Sequence, residues 1–332
     1  MTSSQAWKVP VRHVVTLCIG IILWSGSVDA DGASWNYNIS GYGSPAYWYM
    51  NYSNCGGVMQ SPIDINTTIV LYDPWLPVFN ITEYSKTDNV TMTLTNKGGH
   101  TAEVEFSGTP IYLREGGLPD VYKLVQFHFH WGAQDQRGSE HSIDGYHAPM
   151  ELHLVHQQAH LENDAKFKEH PFAIAVFGFM FKISTEDNPN FEKLLQYFPK
   201  ISTAGKTMNG TEIETFKVRD LLPSDEKLYF YRYSGSLTTP ECYETVIWSL
   251  ATQYITISER QINVFRSLYN ENHDPLVDDF RPIQALNQRS ILTNDIKFMV
   301  TAASFNSGQQ WTFHKMTHFI SFILVFYLFM LY

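Results

Sequence analysis

From about residue 31 to residue 302 the chain switches between apolar and polar positions every few residues, with no linker, low-complexity tract or repeat of fixed period. Several stretches alternate, or run apolar, for the length of a strand: Val90–Leu94, Thr101–Phe106, Lys123–Trp131, Glu151–His156, Phe172–Phe181 and Val246–Thr252. Gly, Pro and Asn punctuate them. Helical periodicity is confined to two short segments, Glu192–Tyr197 and Glu259–Leu268. The pattern predicts one mainly β (α+β) domain with long loops and a few short helices.

The two ends read differently. Lys8 and Arg12 precede an apolar run from Val14 to Trp24, and Val28-Asp29-Ala30 has the small-x-small form of a cleavage site. A run of 11 residues is too short to span a bilayer, which needs about 20. Residues 1–30 are therefore expected to be a signal peptide cut after Ala30. A second apolar run, Phe319 to Tyr332, closes the chain with no basic segment after it. As a helix it would reach roughly 21 Å, against a hydrocarbon core of about 30 Å. Upstream lie the small residues Asn306-Ser307-Gly308 and a mostly polar spacer from Gln309 to His318. This is the pattern of a glycosylphosphatidylinositol (GPI) attachment signal over 303–332, with the lipid on Asn306 or Ser307. The rival reading is a single short C-terminal transmembrane helix.

Charge and cysteines fit an exported protein. The formal net charge is −10, and loss of Lys8, Arg12, Asp29 and Lys315 with the two ends shifts it to −12. Such an acidic surface argues against nucleic-acid binding. Of three cysteines, Cys18 leaves with the leader, so Cys55 and Cys242 are expected to pair in an oxidising compartment. Asn38, Asn51, Asn66, Asn80, Asn89 and Asn209 each head an N-x-S/T triplet and are candidate glycosylation sites.

The chemistry concentrates in Gln126-Phe127-His128-Phe129-His130-Trp131. Side chains two apart on a strand share a face, so His128 and His130 point one way with Gln126, and the aromatic residues point the other way. Two imidazoles do not close a catalytic zinc site, which takes three protein ligands and one open position. A second strand, Met150-Glu151-Leu152-His153-Leu154-Val155, places Glu151, His153 and Val155 on one face and offers the third. A metal-bound histidine commonly donates its other N–H to an acceptor, and Gln126 and Glu151 lie on the correct faces to serve. Neither the carboxylate spacing of a cupin nor an HExxH zincin motif is present.

In these residues the chain closely resembles the alpha-class carbonic anhydrases, over about Trp35 to Ile291. Gln60-Ser61-Pro62-Ile63, FHFHWG at 127–132, SEH at 139–141, ELHLVH at 151–156, GSLTTP at 235–240 and Arg281-Pro282 follow in the family's order. The resemblance implies one domain around a large, mostly antiparallel twisted sheet with zinc in a conical cleft. It implies zinc-dependent reversible hydration of carbon dioxide to bicarbonate and a proton. Residue by residue, His128, His130 and His153 match the zinc ligands. Thr238 matches the threonine that orients the nucleophile, Glu140 the glutamate that takes that threonine's proton donation, and His100 the proton shuttle. Val155, Val176, Leu237, Thr239 and Trp248 match the substrate pocket, and Cys55 and Cys242 the disulfide of extracellular members. The lipid-anchored branch, on the outer face of the plasma membrane, is the nearest in organisation. Gly98 and Glu103 stand where other members often have Asn or Gln, and Asp279 replaces a common Asn. His141, His147, His156, His160, His170 and His273 are read as structural or solvated.

Overall fold

The computed structural model describes residues 35–225 and 227–298; the leader expected at 1–30 and the attachment region at 303–332, with Asn306 and Ser307, lie outside the described residues. In chain order the first strands are β1 (Asp64–Ile65), β2 (Leu71–Tyr72), β3 (Phe79–Asn80), β4 (Val90–Lys97), β5 (Thr101–Gly108), β6 (Tyr112–Glu115) and β7 (Tyr122–Trp131). Then come β8 (Ser142–Ile143), β9 (Tyr146–His147), β10 (Met150–Gln158), β11 (Ile174–Ser184) and β12 (Thr207–Met208). The last are β13 (Phe230–Gly235), β14 (Val246–Ala251), β15 (Ile255–Ser258) and β16 (Leu292–Thr293). Among the described residues the helices α1 (Trp48–Asn51), α2 (Pro189–Leu195) and α3 (Glu259–Phe265) are all short. Among the described residues no helix is long and apolar enough to cross a membrane.

One large sheet runs in the order β12-β4-β5-β7-β10-β11-β14-β13-β16-β2, with β3, β6 and β15 attached beside it. Most of its pairs are antiparallel; β11 with β14, β11 with β15 and β16 with β2 are parallel. The expected mainly β architecture is the observed one. All six strands expected from the pattern form, most of them a few residues longer than the alternation alone marks out. Both helices shift their bounds. The start of α2 moves forward because Asn188 Oδ1 accepts from Asn190 N–H and Pro189 takes the first helical position. The start of α3 is held by a reciprocal capping box between Ser258 and Gln261. It stops at Phe265, and the next residue, Arg266, is drawn off to Gly132 O and Asp135.

The two faces of the sheet pack differently. One carries the main core, in which Phe127, Phe129 and Trp131 of β7 meet Leu152 and Leu154 of β10, Phe177 and Phe179 of β11, and Phe265 of α3. The other carries a smaller apolar cluster of Val176, Val246, Trp248, Leu250 and Tyr233, with Val155 and Leu237 packed against it. A third cluster ties the N-terminal aromatics to the disulfide: Trp48, Cys55 and Cys242 are buried, with Trp35, Tyr37 and Tyr52 packed around them. Cys55 and Cys242 form a disulfide across 187 residues of chain.

Candidate metal centre and cleft

Register builds the site. Cross-strand partners share a face, so two rows of side chains line up across the sheet. Glu103, His128, His153 and Gly178 stand side by side on β5, β7, β10 and β11. One step along, Glu105, Gln126, Val155, Val176, Trp248 and Tyr233 occupy β5, β7, β10, β11, β14 and β13. The imidazole row and the apolar row are therefore neighbours by construction. Gly178 leaves room for this: a Cβ there would lie 3.4 Å from Glu151 Oε1 and 3.0 Å from Leu250 Cδ1.

Each of the three histidines has one ring nitrogen engaged. His128 Nδ1 donates to Gln126 Oε1 at 2.9 Å, and His130 Nδ1 to the Asp279 carbonyl at 2.6 Å. His153 Nε2 donates to Glu151 Oε1 at 2.7 Å. These donations fix the tautomers, because a carbonyl or carboxylate only accepts. The remaining nitrogens carry lone pairs and converge. His153 Nδ1 is 3.2 Å from His128 Nε2, and the three ligand atoms lie within 4.8 Å of one another. His130 Nε2 is buried with no hydrogen-bond partner. Burial, followed by the neighbouring imidazoles, holds His128 well below the usual histidine range; burial also lowers His130. Imidazoles facing one another across a small gap are a donor set that suits a cation such as zinc.

The carboxylates around them have distinct surroundings. Burial alone would raise Glu151, but His141 and His153 beside it hold it well below the usual carboxylate range. Its Oε2 accepts from His141 N–H at 2.8 Å and its Oε1 from His141 Nδ1 at 2.7 Å. His141 Nε2 lies 2.6 Å from the Tyr233 hydroxyl, which in turn lies 2.9 Å from Ser61 Oγ. Glu140 is fully buried. Its Oε1 accepts from Arg281 N–H at 2.9 Å, while Oε2 has no hydrogen-bond partner and lies 3.4 Å from His130 Nε2. Burial lowers the Arg281 guanidinium to about 10; it sits over the Trp48 ring and donates to Gln60 Oε1 and the Ser61 carbonyl. Asp279 accepts from Trp131 N–H, and burial pushes its carboxyl well up.

Thr238 is buried in the loop after β13, with Leu237 and Thr239 half-buried beside it. Val176 and Trp248 are buried in the apolar cluster, and the Trp248 ring stands edge-on to His153 at 4.8 Å. On the opposite side Glu103, beside His128, shares Lys97 with Glu105 at 2.8 and 2.7 Å. Burial raises the Glu103 carboxyl, opposed by Lys97.

His100 sits on the turn before β5. It follows Gly98 and Gly99, both at positive φ in the tight β4–β5 turn closed by His100 N–H to the Lys97 carbonyl. Its ring stacks on Trp35 at 3.9 Å and 14°, with Tyr37 edge-on. Burial in that stack lowers its pKa to about 4, against the near-neutral base that a shuttle needs.

The histidines read as structural or solvated differ in burial, with His147 half-buried and His273 exposed. His141 and His156 are buried, the latter 2.7 Å from the Tyr84 hydroxyl. His160 and His170 meet Asp120 and Asp164 at the surface. What the sequence reading missed is the link from His141 through Tyr233 to Ser61. Its only signal was that the SEH and Gln-Ser-Pro motifs carried polar residues with no assigned work. Five of the six triplet asparagines are exposed and Asn80 is half-buried. In two of them, Asn66 and Asn80, the amide oxygen accepts from the hydroxyl of Thr68 and Thr82 respectively.

A twisted sheet that brings three imidazoles together beside an apolar cluster is a scaffold able to hold a metal ion. A family model described as eukaryotic-type carbonic anhydrase matches residues 43–295. Carbonic anhydrase 3 of Bos taurus is 36% identical over 263 residues, 77% of this chain and 96% of that protein. Carbonic anhydrase 15 of Mus musculus is 33% identical over 282 residues, 82% of this chain and 86% of that protein. The chain belongs to the eukaryotic-type carbonic anhydrase family and is an enzyme of that family.

Proposed function

We propose that this carbonic anhydrase interconverts carbon dioxide and bicarbonate with one zinc ion held by His128 Nε2, His130 Nε2 and His153 Nδ1. The observation that carries the reading is the convergence of three imidazoles, each already committed on its far nitrogen. Carbonic anhydrase is itself the type case for the chemistry: zinc with three imidazole ligands and one open position lowers the pKa of its water toward neutrality. Gln126, Glu151 and the Asp279 carbonyl hold the rings in place and set which nitrogen faces the ion.

Thr238 and Glu140 orient the attack. A hydroxyl has one proton to give. If Thr238 gives it to Glu140, the threonine oxygen is left to accept, and it aims the nucleophile at the substrate. Glu140 Oε2, buried and without a hydrogen-bond partner, is open to accept that proton, although no hydrogen bond to Thr238 is formed in this structure. Val155, Val176, Leu237 and Trp248, with Thr239 at the edge, offer carbon dioxide an apolar surface beside the imidazoles. The product proton leaves through His100 only in the fraction of time its ring is off Trp35, and otherwise passes directly to buffer. In the stack it is too weak a base to take a proton near pH 7.

The enzyme is proposed to act on the outer face of the plasma membrane. The leader at 1–30, the attachment signal at 303–332 and the six triplets support export and a GPI lipid. The Cys55–Cys242 disulfide fits an oxidising compartment.

Stopped-flow carbon dioxide hydration by secreted residues 31–304 with zinc, beside His128→Ala, tests the assignment. Fast hydration that vanishes in the variant establishes the enzyme and its metal site. A folded protein with one bound zinc and no hydration overturns the reading in favour of a catalytically silent binding module.

A further inference from the structure

The edge of the large sheet carries an exposed apolar surface that the catalytic reading does not use. β2 is the terminal strand, paired in parallel to β16 through Leu71 with Leu292 and Tyr72 with Thr293. The two segments then leave the sheet together, tied by Asp73 N–H to the Thr293 carbonyl and Asn294 Nδ2 to the Pro77 carbonyl. On them Leu71 is 55% exposed, Trp75 89% and Ile296 59%. The carboxylates nearby are engaged locally: Asp73 accepts from Trp75 N–H, and Asp295 pairs with Lys297. Large apolar side chains standing into solvent beside one another mark an interaction surface more often than chance exposure does.

We infer that this sheet edge rests on the zwitterionic outer leaflet to which the chain is anchored, with Trp75, Leu71 and Ile296 entering the headgroup region. The inference rests on the lipid-anchor reading above. Two observations choose the occupant. Ile296 lies two residues before Phe298, the last described residue, and only seven residues, 299–305, lie between Phe298 and Asn306. The eight Cα–Cα steps between them span at most about 29 Å, so the face bearing Phe298 stays near the bilayer. The residue types also match: Trp at headgroup depth, aliphatic side chains beside it, and Lys297, 61% exposed in its side chain, able to extend to the phosphates. Contact here leaves the cleft open, since β2 lies five strands from β10, about 24 Å across the sheet. The bilayer would then fix how the enzyme stands, as well as where it is.

The test uses the full mature chain in phosphatidylcholine, sphingomyelin and cholesterol vesicles. Hydroxyl-radical labelling of Trp75 is read against the exposed Tyr146 on β9, before and after treatment with phosphatidylinositol-specific phospholipase C. Trp75 labelling is expected to be at least about fivefold lower on vesicles and to recover on release, because headgroup burial excludes water-borne radical. The released protein should rebind the same vesicles weakly, and Trp75→Ser should cut that binding about tenfold while leaving hydration unchanged. Release with equal labelling before and after overturns the membrane surface and leaves the anchor standing. No release overturns the anchor, and the surface with it. Protection that disappears in Asn66→Gln/Asn80→Gln, rather than on release, assigns the cover to the chain's own glycans and also overturns the proposal.

Discussion

The three clustered histidines and His100 show two ways a fold can hold an imidazole. His128, His130 and His153 sit on paired strands, each ring pinned by an acceptor that is itself buried or strand-borne. Their free nitrogens converge, which suits cation binding. His100 sits on a two-glycine turn, with a ring held by an aromatic face. A stack fixes the ring plane but not a proton, so the ring can leave it. The difference is one of anchoring: the three clustered rings, on a paired sheet, are held by hydrogen bonds, whereas the His100 ring is held by stacking on the N-terminal aromatics.

The largest way to break the comparison is to remove a ligand. His130→Ala should abolish zinc retention and lower kcat/KM by more than the roughly 100-fold limit seen for outer partners. Metal content per folded chain and stopped-flow hydration check this. Gln126→Ala or Glu151→Ala should keep the ligands but loosen the rings, weakening zinc about 10- to 100-fold in chelator competition. Equal affinity in all of these would show that the sheet alone orients the imidazoles.

The disulfide sharpens the other half. Cys55 and Cys242 anchor the cluster that holds Trp35, Tyr37 and Trp48. Cys55→Ser/Cys242→Ser should lower stability in urea unfolding by up to about 5 kcal/mol, given the long loop it closes. It should also release the Trp35 platform, seen as an altered His100 ring signal in NMR while the metal site persists.

The smallest effect is expected at His100. His100→Ala should lower kcat less than about threefold in dilute buffer, because the stacked ring is a weak base. Trp35→Ala frees the ring, so its titration should move from about 4 toward the ordinary histidine value. Added imidazole buffer should rescue the native enzyme more than Trp35→Ala. The stack also has a stability signature. A histidine pKa depressed on folding means that the unfolded chain binds more protons, so its contribution is complete above about pH 6.5 and is lost as pH falls toward 4. Trp35→Ala should flatten that part of the pH–stability curve.

Much of this was legible without coordinates. Alternation along 123–131 and 151–156 assigned His128, His130 and His153 to strand faces, and put Gln126 and Glu151 with them, because a strand's period is local and exact. The same locality explains the misplaced helix ends. The start of α2 depends on Asn188 and Pro189, and the stop of α3 on where Arg266 is pulled, which periodicity does not see. The resemblance named Thr238, Glu140 and the pocket, residues with no distinctive local pattern of their own.

Sequence alone therefore determined the donor types, their faces and the apolar or polar character of each wall, since side-chain chemistry and strand parity are properties of short segments. Tertiary structure alone decided which faces meet. It brought His153 beside His128 through the β7–β10 register, and set Val155, Val176 and Trp248 in one row across three strands. It also supplied the Asp279 carbonyl to His130 from 149 residues away, and stacked His100 on Trp35. Those outcomes depend on pairing and packing between distant segments, where many residues jointly choose one register and no single stretch carries the information.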